Sequence, residues 1–166
     1  IGVSDADFYK AIQSFTGAAK RLELIASNAT CNGYKDFAHS PSKLKATVAA
    51  VKQQYPNRKL VACMELHTFS SLKKEFLPLY ENCMAEADEA LVYFSPDVVK
   101  HKKLESITTE VVQKSFATNN VTVYTDSDVL VQRLRDVTWE NTNLLLMSSG
   151  NFHGVDLNAF AKELLE

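Results

Sequence analysis

The chain has 166 residues, 18 Lys and Arg against 20 Asp and Glu for a net charge of −2, and is 46% apolar and 23% charged. That length buries one full core, with room for slightly more than one domain. The charge balance leaves no electrostatic footprint for nucleic acid or an anionic membrane surface, and no apolar run approaches the roughly 20 residues of a membrane span.

Ser4-Asp5-Ala6-Asp7 reads as an N-cap with acidic first-turn residues, and Phe8, Ile12 and Phe15 recur at helical spacing before Gly17. Leu22 to Ser27 and Cys31 to Phe37 are extended runs joined by Asn28-Ala29-Thr30, two strands with a tight connection. The second passes through Lys35-Asp36-Phe37-Ala38-His39-Ser40-Pro41 into a helix reaching Gln54, with Ser40 as N-cap and Pro41 at the first helical position. Lys59 to Glu65 is a nearly continuous apolar run, as for a strand covered on both faces. Ser70 to Ala87 reads as helical, kinked or split at Pro78. Ala90 to Phe94 is a second buried strand, closed by Ser95-Pro96-Asp97. Thr108 to Ala117 is a helix, Val121 to Tyr124 a strand, and Ser127-Asp128 caps a helix running towards Val137. Asn143 to Met147 is the last strand, and Leu157 to Leu165 closes the chain as an amphipathic helix. Strands alternating with helices predict an α/β fold: a three-layer, Rossmann-like domain, its sheet mainly parallel with helices on both faces.

In such a sheet the loops after the strands form one rim, where ligands bind. The rim carries Asp36, His39 and Ser40; Glu65, His67, Thr68 and Ser70; Ser95 and Asp97; Thr125 and Asp126; and Ser148, Ser149, Gly150, Asn151 and His153. Each group has a plainer reading. Asp36 and His39 pair with each other or with backbone to close a turn, or the free N–H groups of the next helix hold an anion such as phosphate. Glu65 to Ser70 is a polar loop whose Ser70 caps a helix, or a substrate contact. Ser148 to Gly154 is a turn, or backbone brought close to a ligand by its two glycines. Lys100-His101-Lys102-Lys103 reads as solvated surface, and Trp139 as packing near a helix end.

Three cysteines, Cys31, Cys63 and Cys83, with no C-x-x-C pair, argue against a disulfide framework and a zinc site. Cys63, inside a strand, reads as a buried thiol. With no signal-peptide pattern, the expectation is a cytoplasmic protein with no resident metal. There is no G-x-x-x-x-G-K-[ST], G-x-G-x-x-G or G-x-S-x-G, so a self-sufficient ATPase or dehydrogenase is disfavoured. The residues alone support an α/β domain with a polar rim site.

Four stretches, in order, resemble the Mur ligases, the ATP-dependent enzymes that build the peptide stem of peptidoglycan precursors. Gly17-Ala18-Ala19-Lys20-Arg21-Leu22-Glu23 is similar to the Gly-x-x-(Lys/Arg)-Arg-x-Glu at the end of the family's central ATPase domain. Asp36-Phe37-Ala38-His39-Ser40-Pro41 resembles the Asp-(Tyr/Phe)-Ala-His-x-Pro that opens the C-terminal domain. Glu65-Leu66-His67-Thr68-Phe69-Ser70 occupies the place of the loop after the next strand. Met147-Ser148-Ser149-Gly150-Asn151-Phe152-His153-Gly154 resembles the Met-Ser-Asn-Gly-Gly-Phe-Gly-Gly of the muropeptide ligases.

The resemblance implies that residues 1–20 end a central ATPase domain and linker, and that 21–166 form the C-terminal domain of a three-domain ligase. It implies ATP and Mg2+ as cofactors, Mg2+ held mostly by the central domain. UDP-N-acetylmuramate and an amino acid or peptide are the implied substrates, and the chain's own N-terminal and central domains its partners. Arg21 and Asp36 would clamp the ATP ribose. His39, the implied catalytic residue, and Ser40 would lie towards the phosphates. Glu65, His67, Ser70, Ser148, Ser149, Gly150 and Asn151 would face the incoming amine. The implied reaction activates a carboxylate of the UDP-sugar as an acyl phosphate, which the amine attacks. The departures concern the amine. Leu66-His67 differs from the muropeptide branch, Thr68 and Ser71 replace the arginines of the L-alanine-adding branch, and Ser40 replaces a second histidine. L-Ala-γ-D-Glu-diaminopimelate is favoured over L-alanine by Asp-Phe-Ala-His and Met-Ser-x-Gly. The first residue, Ile1, and the absent phosphate loop fit a fragment inactive alone. The competing class is a free-standing, non-catalytic α/β domain that binds a nucleotide or small anion.

Overall fold

Burial on both faces sends the most continuously apolar runs to the middle of the sheet. These are β3 (Lys59–Glu65), exposed only at Lys59, β4 (Glu89–Tyr93), and β6 (Thr142–Met147), buried throughout. The more polar β1 (Glu23–Ser27), β2 (Asn32–Asp36) and β5 (Val121–Tyr124) lie outside them. The computed structural model describes residues 2–13 and 21–166. Phe15 and the Gly17-Ala18-Ala19-Lys20 part of the first motif lie outside the described residues.

The six strands run in the order β1-β2-β6-β3-β4-β5. β1 is antiparallel to β2, and every other neighbouring pair is parallel. Side-chain alternation divides the core in two. Leu60, Ala62 and Met64 of β3 face α2 (Pro41–Gln54) through its Leu44, Val48 and Val51, and share that core with Val112 and Phe116 of α4 (Thr109–Phe116). Val61 and Cys63 share the opposite core with Leu130 and Leu134 of α5 (Ser127–Arg135) and with Phe160, Ala161 and Leu165 of α6 (Leu157–Leu165). The result is the expected three-layer α/β fold. α1 (Asp5–Ile12) buries none of its residues, and its N-cap Ser4 accepts from the Asp7 N–H.

Three stretches differ from the sequence reading. The N-cap of α5 is Asp126 instead of Ser127-Asp128, its carboxylate accepting the Asp128 and Val129 N–H groups. Ser95-Pro96-Asp97 does not merely close β4. Ser95 caps the Val98 N–H at 3.3 Å and starts α3 (Pro96–His101). Ser70 to Ala87 is not an α-helix but a run of turns around a 3-10 helix at Leu77–Tyr80. Its bonds are mostly of the i to i−3 kind: Lys73 to Ser70, Phe76 to Lys73, Leu79 to Phe76, Glu81 to Pro78 and Cys83 to Tyr80. Pro78 withholds one N–H, and Asn82 turns left-handed (φ 56°) to donate to the Phe116 carbonyl at 3.0 Å. Leu72, Leu77, Tyr80 and Met84 are buried all the same, so tertiary anchoring replaces the helical ladder.

The strand order fixes where a ligand would sit. From β3 the chain steps through β4 to β5 on one side. From β6 it leaves the other way, as α6 packs over β1 and β2. The crevice beyond the carboxyl ends of β3 and β6 is therefore the topological switch point.

Candidate functional site at the carboxyl rim of the sheet

β2 ends at Asp36, whose carbonyl accepts the Ser148 N–H at 3.1 Å and so ties the ends of β2 and β6. Its carboxylate accepts the Ala38 N–H through Oδ1 at 2.6 Å and the Leu22 N–H through Oδ2 at 2.5 Å. Leu22 is left-handed (φ 43°), a backbone state that a side chain disfavours. Asp36 thereby sets the direction in which the chain enters β1, using two of the roughly four acceptor positions of a carboxylate. With Arg21, Phe37, Ala38, Lys43, Ala46 and Thr47 it lines a cavity of about 380 Å³.

His39 does not pair with Asp36. Its Nδ1 lies 2.9 Å from the Phe37 carbonyl, so that nitrogen carries the proton and Nε2 is the open one. The His39 carbonyl accepts the Tyr80 hydroxyl at 2.6 Å, and the Tyr80 ring stacks on Phe116 with centroids 5.2 Å apart. Burial, with Cys83 second, pushes the Tyr80 hydroxyl above its usual range and keeps it a donor. Ser40 occupies the N-cap position of α2 and accepts the Leu44 N–H on its carbonyl at 2.9 Å, but its hydroxyl makes no capping bond.

The second cluster is built on Glu65, at 3% exposure the most enclosed carboxylate of the rim. Its Oε2 accepts from the Ser148 hydroxyl and from the Phe152 N–H at 2.9 Å, and its Oε1 lies 3.3 Å from His67 Nδ1. Such donors offset the desolvation of a buried charge. Ser148 Oγ in turn accepts the Gly150 N–H at 2.7 Å. Gly150 has to be glycine for space: a Cβ there would stand 2.8 Å from Glu65 Oε2 and 2.9 Å from His67 Nδ1. Beyond it, Phe152 (φ 49°), His153 (φ 63°) and Gly154 (φ 98°) are left-handed in succession. Each of the two side-chain-bearing residues carries a cost of about 1–2 kcal/mol. Packing offsets that cost, since the Phe152 carbonyl accepts the Ser127 hydroxyl at 2.6 Å and its ring stacks on Tyr93 at 6.1 Å.

The structure thus brings Glu65, His67, Ser148 and Gly150 together. Ser149 lies beside them with its hydroxyl buried and unpartnered. Ser148, Ser149 and Gly150 line a cavity of about 330 Å³ with Lys35, Asp36, Phe37 and Asn158. Asp36 and Phe37 line both cavities, so the two adjoin at the end of β2. Asn151 is an exposed turn former, accepting the Gly154 N–H on Oδ1 at 2.9 Å. Ser70 is exposed and caps nothing with its side chain; Thr68 Oγ1 instead accepts the Ser71 N–H at 3.1 Å. Ser95, Asp97, Thr125, Asp126 and His153 surround a third cavity, of about 580 Å³. Lys43 was not singled out from the sequence, although its place in the first turn of a rim-facing helix was a usable signal. Tyr80 and the Phe152 amide left no local signal at all.

The Mur ligase, glutamate ligase domain family matches residues 20–150. The chain is 25% identical over 167 residues to the UDP-N-acetylmuramate–L-alanine ligase of Brachyspira hyodysenteriae, covering 99% of this chain and 35% of that protein. It spans about a third of the length of the curated relatives it matches. Among solved structures, a UDP-N-acetylmuramate-alanine ligase of Thermotoga maritima superposes with a TM-score of 0.70 at 16% identity, over 96% of this chain and 33% of that one. A domain ascribed to a UDP-N-acetylmuramate:L-alanyl-γ-D-glutamyl-diaminopimelate ligase of Haemophilus ducreyi superposes with a TM-score of 0.56 at 26% identity, over 85% of this chain and 100% of that one. The family match covers most of the chain and its fold superposes on solved Mur ligases: the chain belongs to the Mur ligases and is a C-terminal, glutamate ligase domain of that family.

Proposed function

We propose that this chain is the nucleotide- and amine-gripping domain of a cytoplasmic, ATP-dependent amide ligase acting on UDP-N-acetylmuramate in peptidoglycan synthesis or recycling. The observation that carries the reading is the meeting of two cavities at Asp36 and Phe37, one lined by Arg21 and Lys43, the other by Ser148, Ser149 and Gly150. A carboxylate with acceptor capacity to spare, flanked by a guanidinium and an ammonium, suits the hydroxyls and phosphates of ATP. Arg21 and Asp36 would hold the ribose, with His39 Nε2 and Ser40 towards the phosphates. The amine would lie along the loop that runs from Glu65 through His67 to Ser70, and along the Ser148–Asn151 loop. Mg2+ would be held mainly by the central domain. Bound there, it would neutralise developing phosphate charge.

The chemistry is an acyl transfer in two steps. A carboxylate of UDP-N-acetylmuramate takes the γ-phosphoryl group of ATP and releases ADP. The amine nitrogen then attacks the acyl carbon, forms the amide, loses a proton and expels phosphate. This domain contributes positioning. Residues 1–20 would belong to the central domain and linker and 21–166 to the C-terminal domain, inactive alone and completing the site by closure. For the amine, the Met-Ser-x-Gly loop and Glu65 favour L-Ala-γ-D-Glu-diaminopimelate. A second reading, L-alanine, is favoured by the name of the Brachyspira relative.

The test is phosphate release by the intact polypeptide that carries this chain, given ATP, Mg2+ and UDP-N-acetylmuramate with each amine separately. Turnover with the tripeptide alone is expected. Turnover with L-alanine alone transfers the assignment to the second reading, and release with neither rejects the substrate class.

A further inference from the structure

Glu65 stands where a substrate-binding carboxylate is expected, yet both of its oxygens are already engaged by groups of the protein itself. At 3% exposure it lies so close behind Gly150 that a Cβ there would stand 2.8 Å from its Oε2. It receives the Ser148 hydroxyl and the Phe152 amide from the loop after β6, and it faces Nδ1 of His67 in the loop after β3. Ser148 relays the contact to the Gly150 amide. The His67 side chain stays 36% exposed, and with Nδ1 turned to the carboxylate its Nε2 is the nitrogen left for an incoming group.

We infer that Glu65 is a positioning residue: one buried carboxylate sets the geometry of both rim loops, and through His67 and the Ser148–Gly150 backbone it shapes the amine site without touching the amine. The kinetic part of this inference rests on the ligase reading above; the structural part does not. A carboxylate is the side chain that does this with least adjustment, because it only accepts and its two oxygens serve two loops at once. Glutamine keeps one acceptor for the Phe152 amide but turns the other position into a donor.

The experiment uses the intact polypeptide with Glu65→Ala, Glu65→Gln and Ser148→Ala, and reads amide hydrogen exchange alongside steady-state kinetics. In Glu65→Ala, exchange at Phe152 is expected to accelerate by about 10- to 100-fold, the loss expected for a bond to a charged acceptor, and exchange at Gly150, held through the Ser148 hydroxyl, to accelerate by less. The KM for the amine is expected to rise about tenfold or more while the KM for ATP stays within about twofold. Glu65→Gln is expected to recover part of both effects. Ser148→Ala, which leaves the Phe152 bond in place, should accelerate Gly150 alone and keeps the test available if Glu65→Ala fails to fold. A raised amine KM with unchanged loop exchange would make Glu65 a direct ligand and overturn the proposal. Accelerated exchange with an unchanged amine KM would equally overturn it. If no amine turns over in the parent polypeptide, the ligase reading fails by itself, and the exchange of Gly150 and Phe152 decides whether Glu65 holds the loops.

Discussion

A methyl group at Gly150 has nowhere to go, because Glu65 is buried and His67 is held by it. Gly150→Ala should therefore lower stability by about 1–3 kcal/mol, the usual range for overpacking a fixed site, measured as a shift in the denaturant midpoint. Its neighbour behaves in the opposite way. The Ser149 hydroxyl is buried without a partner, so Ser149→Ala should be neutral or stabilising by up to about 1 kcal/mol in the same assay. A clear loss at Ser149 would mean that the hydroxyl is satisfied. Single residues were only half legible from the sequence. Asp36, His39, Glu65 and Ser148 could be found because strand ends in a parallel sheet point to one rim. Their partners could not: the Leu22 and Phe152 amides that hold Asp36 and Glu65 lie 14 and 87 residues away in sequence. A backbone N–H looks the same at every position, so no residue type announces which one will be recruited.

At the scale of elements, the strands and most helices followed from burial pattern and capping, and β3, β5 and α6 lie where the apolar periodicity placed them. The failure at residues 70–87 is informative. The apolar spacing there is helix-like and the buried set is the one a helix would bury, but backbone bonding follows long-range demands, above all the Asn82 amide on Phe116. Periodicity reports which side chains go inside, not which ladder the backbone uses to bring them there. Relieving the proline should therefore leave the segment as it is. Pro78→Ala is expected to leave the far-ultraviolet helical signal unchanged, and a gain of one or two helical turns would show that proline alone had blocked the helix.

Across the whole molecule, Asp88 joins three parts of the fold. Its Oδ2 accepts from Lys52 of α2 at 2.6 Å and from the Leu60 amide of β3 at 2.7 Å, just before the chain enters β4. Burial works to raise its pKa, but the Lys52 ammonium and the Leu60 N–H together outweigh it and hold the carboxyl below its usual value. A carboxylate depressed in the folded state adds stability above its unfolded pKa of about 3.9, and that stability drains away as pH falls through the folded value. The melting temperature of Asp88→Asn should accordingly fall short of the parent's at neutral pH, with the gap closing below about pH 4. A gap that persisted into acid would assign the effect to packing instead of charge.

The place of β6 in the sheet has a consequence for how the molecule comes into being. Of the six strands, the one between β2 and β3 comes latest in the chain, so those two have no strand between them until β6 arrives. Pairing Gly33 with Leu144 closes a very long loop, so this step of folding is non-local and slow. A chain ending at residue 141 should lack a cooperative unfolding transition and bind a hydrophobic dye, because two inner strand edges remain open. Part of the site shares this timing. Among the described residues Ser148 links Asp36 and Glu65, its amide donating to the Asp36 backbone carbonyl and its hydroxyl to the Glu65 carboxylate. A nascent chain can therefore fix the Asp36 carboxylate through the Leu22 and Ala38 amides, but the Glu65 carboxylate waits for the loop that follows β6.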